Sequence, residues 1–125
     1  MSNFVNLVNA VRTMTTDEST ANQPIRRMFV ADGEFLSANV SISETAGDAL
    51  HTQPSHDEIV VVIEGNVDFR VGDETRKVAP GDLIFIPRNT IHGPVIEAGQ
   101  RFAALSVFAP YFDRNKTNID WEEDK

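Results

Sequence analysis

The sequence predicts an antiparallel all-β sandwich or barrel, on three observations. About nine short apolar runs recur at a spacing of roughly ten residues. The breaks between them are residues that favour turns: Asp32-Gly33, Glu64-Gly65-Asn66, Gly72-Asp73 and Pro80-Gly81. No alternation of strand with helical period argues for a parallel sheet.

Taken in order, residues 1–20 are polar and mixed. Phe4, Leu7, Val8 and Val11 have rough helical spacing that stops at Thr15-Thr16-Asp17-Glu18. This stretch is read as a short helix or an arm lying on a neighbouring surface. From Ile25 the pattern becomes strand-like: Ile25–Val30, Phe35–Ser43, Ala49–Gln53, Glu58–Glu64, Val67–Val71, Thr75–Val78, Asp82–Ile86, His92–Ile96 and Phe102–Ala109. Pro54, Pro87, Pro94 and Pro110 interrupt a hydrogen-bonding ladder and so mark strand ends. Asp82 reads as a turn cap, and Gly65 and Gly81 as turn residues. The organisation predicted is an N-terminal arm over 1–20, a barrel over 21–110 and a tail over 111–125. Ile119 and Trp121 would anchor the tail. No repeat of solenoid or propeller period is present.

Composition narrows the function classes. There is no cysteine, so disulfides, thiolate catalysis and thiolate-bound zinc are excluded. A net charge of -8 disfavours nucleic acid and anionic membrane surfaces, whose attraction rests on Lys and Arg. No apolar run reaches the roughly 20 residues of a membrane span, and the first residues do not read as a secretory signal. The expectation is a cytoplasmic protein with a small-molecule partner. No nucleophile elbow, phosphate-cradling loop or HExxH helix is present.

All three histidines, His51, His56 and His92, fall in two short segments at strand ends. Alternation puts His51 and Gln53 on one side of their strand. It also gives Glu58, Val60 and Val62 a common face, opposite Ile59, Val61 and Ile63. If Glu58 begins the inward row, its carboxylate needs a cation, and a metal ion is one such partner. Imidazole, carboxamide and carboxylate are a donor set for a borderline divalent metal. Phe35, Phe69, Phe85, Phe102 and Phe108 are read as core residues. Arg26, Arg27, Arg70 and Arg101 are read as solvated strand residues. An inward one could hold a carboxylate in a bidentate fork, but alternation does not say which.

These residues resemble the two motifs of the cupin family. The first motif asks for glycine, five residues, His-x-His, three or four residues, Glu, six residues and Gly. Here His51-x-Gln53 is followed by four residues, Glu58, six residues and Gly65, with Gly47 closer than the pattern asks. The second motif asks for Gly, five residues, Pro-x-Gly, two residues, His, three residues and Asn. Here Gly81, Pro87-x-Asn89 and His92 fall in place, with Ile96 at the final position.

The resemblance implies a jelly-roll barrel, the antiparallel double-stranded β-helix, and metal ligation by His51, Glu58 and His92. Gln53 stands where the second histidine would be, as a fourth ligand or a pocket hydrogen-bonder. Some sugar-phosphate isomerases of the superfamily use a glutamine beside histidines around zinc. One divalent ion is implied, with Fe, Mn, Zn or Ni suiting a neutral oxygen donor better than copper. His56 is a loop histidine that could swing towards the site or shuttle a proton. Glu58 is the other candidate for proton transfer. Family frequency favours dioxygenase-type or lyase-type chemistry. Metal-dependent isomerisation or cyclisation, and non-catalytic ligand binding or sensing, are the alternatives. The family's habit, with the two-sided apolar strand Ile59–Ile63 and the arm, points to a homodimer.

Overall fold

The structure, a computed structural model, describes residues 2–14, 25–48, 50–110 and 120–121. Its elements are α1 (Leu7–Thr13), β1 (Ile25–Asp32), β2 (Ser37–Ser43), β3 (Gly47–Asp48), β4 (His51–Thr52) and β5 (Asp57–Glu64). They continue with β6 (Val67–Val71), β7 (Glu74–Val78), β8 (Leu83–Ile86), β9 (His92–Ile96), β10 (Phe102–Ala109) and β11 (Asp120–Trp121). Every strand pairing among the described residues is antiparallel. One sheet runs β1-β2-β10-β5-β8, and the other runs β11-β4-β9-β6-β7 with β3 also on β9. Non-consecutive neighbours in both sheets give the jelly-roll crossover expected from the motifs.

Apolar side chains of both sheets meet between them: Val60, Val62, Ile86, Phe102 and Ala104 from one, and Val67, Phe69, Val78 and Ile96 from the other. A second core lies on the outside of the five-stranded sheet. There Ala10, Val11 and Met14 cover Val40, Ile42 and Ala103. The N-terminal segment is thus a helix docked on a sheet. Asn6 caps it, its side chain accepting from the Asn9 N–H at 3.0 Å. Leu7 and Val11 of the sequence pattern face the sheet, whereas Phe4 and Val8 are exposed. Thr15–Glu18, Tyr111 and Ile119 lie outside the described residues. The backbone of Trp121 pairs with β4, which puts this part of the tail against the barrel.

Three expectations need correction. Phe35 and Phe85 are not core residues, at 75% and 57% exposed. Phe35 sits in the β1–β2 turn, closed by the Gly33 N–H donating to Leu36 O at 2.9 Å. Phe85 points outward on β8 opposite Ile59, while Ile86 takes the inward place. The single strand over Ala49–Gln53 is instead two short pieces, β3 and β4, with Ala49 outside the described residues. Pro94 is not at a strand end but within β9. It falls where β9 changes partner from β4, at His92, to β3, at Val95. A proline has no N–H to give, so the interruption of the ladder faces the residue that cannot support it.

Gly65 is required where it stands. Its φ is +103°, and a Cβ there would lie 2.2 Å from Arg101 O. Asp82 caps its turn as expected, accepting from the Ala79 N–H at 2.9 Å. No helix among the described residues is long and apolar enough to cross a membrane.

Candidate metal centre

Two sheets supply the site. His51 on β4 lies directly opposite His92 on β9, so the two imidazoles share a face. Their ring centroids are 4.2 Å apart. Glu58 comes across the barrel from β5, in the inward row with Val60 and Val62. Ligand atoms of His51, Glu58 and His92 all lie within 4.8 Å of one another, and all three residues are buried. The three side chains that the sequence placed in the site therefore converge.

The hydrogen bonding of His92 defines its tautomer. Nδ1 sits 2.8 Å from Thr90 O, and a carbonyl only accepts, so Nδ1 carries the hydrogen. In the neutral ring, Nε2 then presents a lone pair. It faces Glu58 Oε1 at 3.1 Å, inside the protein. Two acceptors at that distance repel unless a cation lies on or between them. A proton would serve, and so would a divalent ion. An Nδ1–H held by a backbone carbonyl with Nε2 directed at the site is the usual preparation of a histidine ligand.

Gln53 follows β4 and is buried along the same cavity. Its Oε1 is buried and has no hydrogen-bond partner. A buried amide oxygen left unsatisfied is costly, and a metal ion beside the two imidazoles would satisfy it. The donor set His51, Gln53, Glu58 and His92 thus fits a divalent cation. Three or four protein donors leave one or two positions open on a four- to six-coordinate ion.

The loop around Gln53 is tied to the turn before His92. Asn89 N–H donates to Gln53 O at 3.0 Å, and Arg88 N–H donates to Asp57 Oδ1 at 3.0 Å. Asn89 has φ +62°, the left-handed conformation that the family's glycine would adopt there and that Asn tolerates best among other residues.

His56 is placed differently. It is buried, its Nδ1–H donates to Pro110 O at 2.9 Å, and its ring meets Phe108 edge-on at 5.8 Å. It neither lines the cavity nor belongs to the cluster of ligand atoms.

The enclosed space of the cavity is small, about 50 Å³, and it opens to solvent beyond that. Phe69 and Phe102 form part of its apolar wall, with centroids 5.8 Å apart. Arg27, Asn39, Ser41, Ser43 and Ser106 also line it. Of these, only Arg27 was considered from the sequence, as one of four arginines read as solvated, and that reading is corrected here: Arg27 is buried on the inner face of β1. The readable signal for the others was the alternation Ser37-Ala-Asn39-Val-Ser41-Ile-Ser43, a polar row on a strand whose other row is wholly apolar.

The cupin domain model matches residues 39–108, more than half of the chain. This chain belongs to the cupin family. Cupins commonly bind a metal ion, and in this one two histidines and a glutamate lie close together. Among solved structures it is similar to KdgF from a Halomonas species, at 25% identity and a TM-score of 0.71. That match covers 93% of this chain and 99% of the other. The polyketide cyclase RemF from Streptomyces resistomycificus matches at 21% identity and a TM-score of 0.70, covering 98% and 86%. Ectoine synthase from P. lautus matches at 19% and 0.68, covering 96% and 89%. No curated protein matches the sequence.

Proposed function

We propose that this cupin is a metal-dependent enzyme acting on a small polar organic molecule within the barrel. The observation that carries the reading is the facing pair of Glu58 Oε1 and His92 Nε2, with Nδ1 of His92 already committed to Thr90 O. His51, Glu58 and His92 would hold one divalent ion, Zn, Fe, Mn or Ni, with Gln53 Oε1 as fourth donor. When bound, the ion supplies Lewis acidity towards a carbonyl, enol or carboxylate oxygen.

The chain's own groups do the rest. Glu58 has two carboxylate oxygens, so one can face the ion while the other takes a proton from the substrate. Phe69 and Phe102 exclude water from one side. Of the two chemistries that family frequency favours, lyase-type elimination needs no co-substrate besides this proton acceptor. Of the named enzymes among the fold neighbours, a DMSP lyase is in keeping with it, and a polyketide cyclase is in keeping with the alternative, cyclisation. His56, held against Pro110 and Phe108, would act by fixing the loop that runs from Gln53 to the start of β5.

The test is elemental analysis of protein purified without a histidine tag. Near-stoichiometric metal, lost in the His51→Ala/His92→Ala double variant, supports the reading. Protein that neither retains nor binds any of the four ions overturns it. A non-catalytic cupin that binds or senses a small ligand is the second reading. It rests on Gln53, a weaker donor than the histidine it replaces.

We also propose a homodimer. Ile59, Leu83 and Phe85 are exposed together on the outer face of β5 and β8, Ile59 directly opposite Phe85. Sedimentation at micromolar concentration should show a dimer, and an Ile59→Ser/Phe85→Ser variant should shift it to monomer.

A further inference from the structure

The wall of the cavity contributed by β1, β2 and β10 is not explained by a metal centre. Antiparallel register sets its side chains in rows. Glu58 pairs with Phe108, which pairs with Ser37. The next row is Val60, Ser106 and Asn39, and the one after is Val62, Ala104, Ser41 and Arg27. Arg27 therefore enters two rows from Glu58, roughly 13 Å along the strands, and three strands away across the sheet. Both side chains line the same cavity, so a ligand that fills it meets both ends.

The two ends differ in chemistry. Towards the triad lie imidazoles, an amide oxygen and Glu58, the only carboxylate lining the cavity among the described residues. On the far wall lie donors. Arg27 is a cation at 7% exposure, and Asn39, at 1%, has an Nδ2 with no hydrogen-bond partner. A guanidinium inside a barrel costs desolvation that an aliphatic side chain would not. It carries five N–H donors, enough to keep a contact within the chain and still offer a fork to a carboxylate. The cation is also set inside a protein of net charge -8, so it makes a local reversal of sign for an incoming anion.

We propose that Arg27, with Asn39 beside it, is a carboxylate-binding subsite, and that the substrate is a small organic acid. Its carboxylate sits on Arg27 while a second oxygen function reaches the His51–Glu58–His92 end. Only this second contact rests on the proposed metal-dependent function.

Calorimetric titration of zinc-loaded protein separates the two. The probes are the monohydroxamic acids of succinic, glutaric and adipic acid, each beside the analogue whose distal carboxylate is an amide. The hydroxamate end chelates zinc in every probe, so each pair differs only in the distal charge. At one chain length or more, the carboxylate form should bind about tenfold tighter than its amide, the size of one charge-assisted contact. Arg27→Gln should abolish that preference, and Arg27→Lys should keep part of it. Equal binding of acid and amide at all three lengths overturns the proposal without recourse to any variant, and so does a preference that survives Arg27→Gln. Acetohydroxamate reports the zinc end alone. If neither zinc nor acetohydroxamate binds, the metal reading fails. Glutarate binding to metal-free protein, weakened by Arg27→Gln, then still supports the Arg27 subsite, and glutarate binding indifferent to that change overturns it.

Discussion

β2 and β5 lie in the same sheet, one strand apart, yet they use their two faces in opposite ways. On β5 the inward row, after Glu58, is apolar and joins the core between the sheets, as Val60 and Val62 do. On β2 the inward row is Ser37, Asn39, Ser41 and Ser43, and it is the outward row, Ala38, Val40 and Ile42, that is apolar and buried. The cause is what covers each strand. α1 lies on the outside of β2 and makes a core there, while the inside of β2 faces the cavity. Alternation says that a strand has two different faces, but not which one is the interior. Where the polar face looks into the barrel, it marks the wall of the binding site.

The largest effect expected from this difference is at the outer isoleucines. Ile42, under α1, should cost about 2–5 kcal/mol when changed to Ala, measured by urea unfolding. Ile59, on the same outer side of β5 but exposed, should cost less than about 0.5 kcal/mol in the same assay, its effect falling on self-association instead. Similar losses at both positions would mean that α1 does not make the second core. Next in size is the metal. At a zinc concentration a hundredfold above its Kd, the stability of the folded chain should rise by about 2.7 kcal/mol, and a chelator should remove it. In the His51→Ala/His92→Ala variant the unfolding midpoint should not respond to zinc.

Much of this was legible in the sequence, and the reasons are specific. Gly65, Gly81 and Asp82 sit at turns with local causes, so they identify themselves. His51, Glu58 and His92 were legible because strand periodicity and the motif spacing agree on their direction. Gln53 was legible as a position, while the orphaned state of its oxygen is a property of the packed interior. Phe35 and Phe85 were misread because an aromatic residue in a strand-like run looks the same whether its face is covered or open. Arg27 could not be separated from Arg26. A shift of one residue exchanges the faces, and only the pairing of Arg27 with Ser41 decides which arginine enters the barrel.

Asn39 gives a smaller effect with an unusual sign. Its Nδ2 is buried without a partner on the inner face of β2, which makes it a cost to the fold. Asn39→Leu keeps the approximate volume and removes the unsatisfied group, so the variant should be more stable by about 1 kcal/mol. Ligand binding in the cavity should weaken at the same time. Stability that falls instead would mean that β2 is polar inside for structural reasons and not for a ligand.

The smallest effect is that of Asn89→Gly, which puts back the glycine from which the chain departs. With φ at +62°, the residue occupies a conformation that glycine reaches without steric cost and asparagine at a modest one. Asn89→Gly relieves that cost but adds freedom to the unfolded chain, so the net change should stay within about 0.5 kcal/mol. Asn89→Ala keeps the strain and loses the tolerance, and should cost about 1–2 kcal/mol. The backbone N–H that donates to Gln53 O is present in both variants. Zinc affinity should therefore follow the turn's conformation: unchanged in Asn89→Gly and weakened in Asn89→Ala. Equal affinity in the two would show that the tie between the Pro87–Ile91 turn and the Gln53 loop does not position the fourth donor.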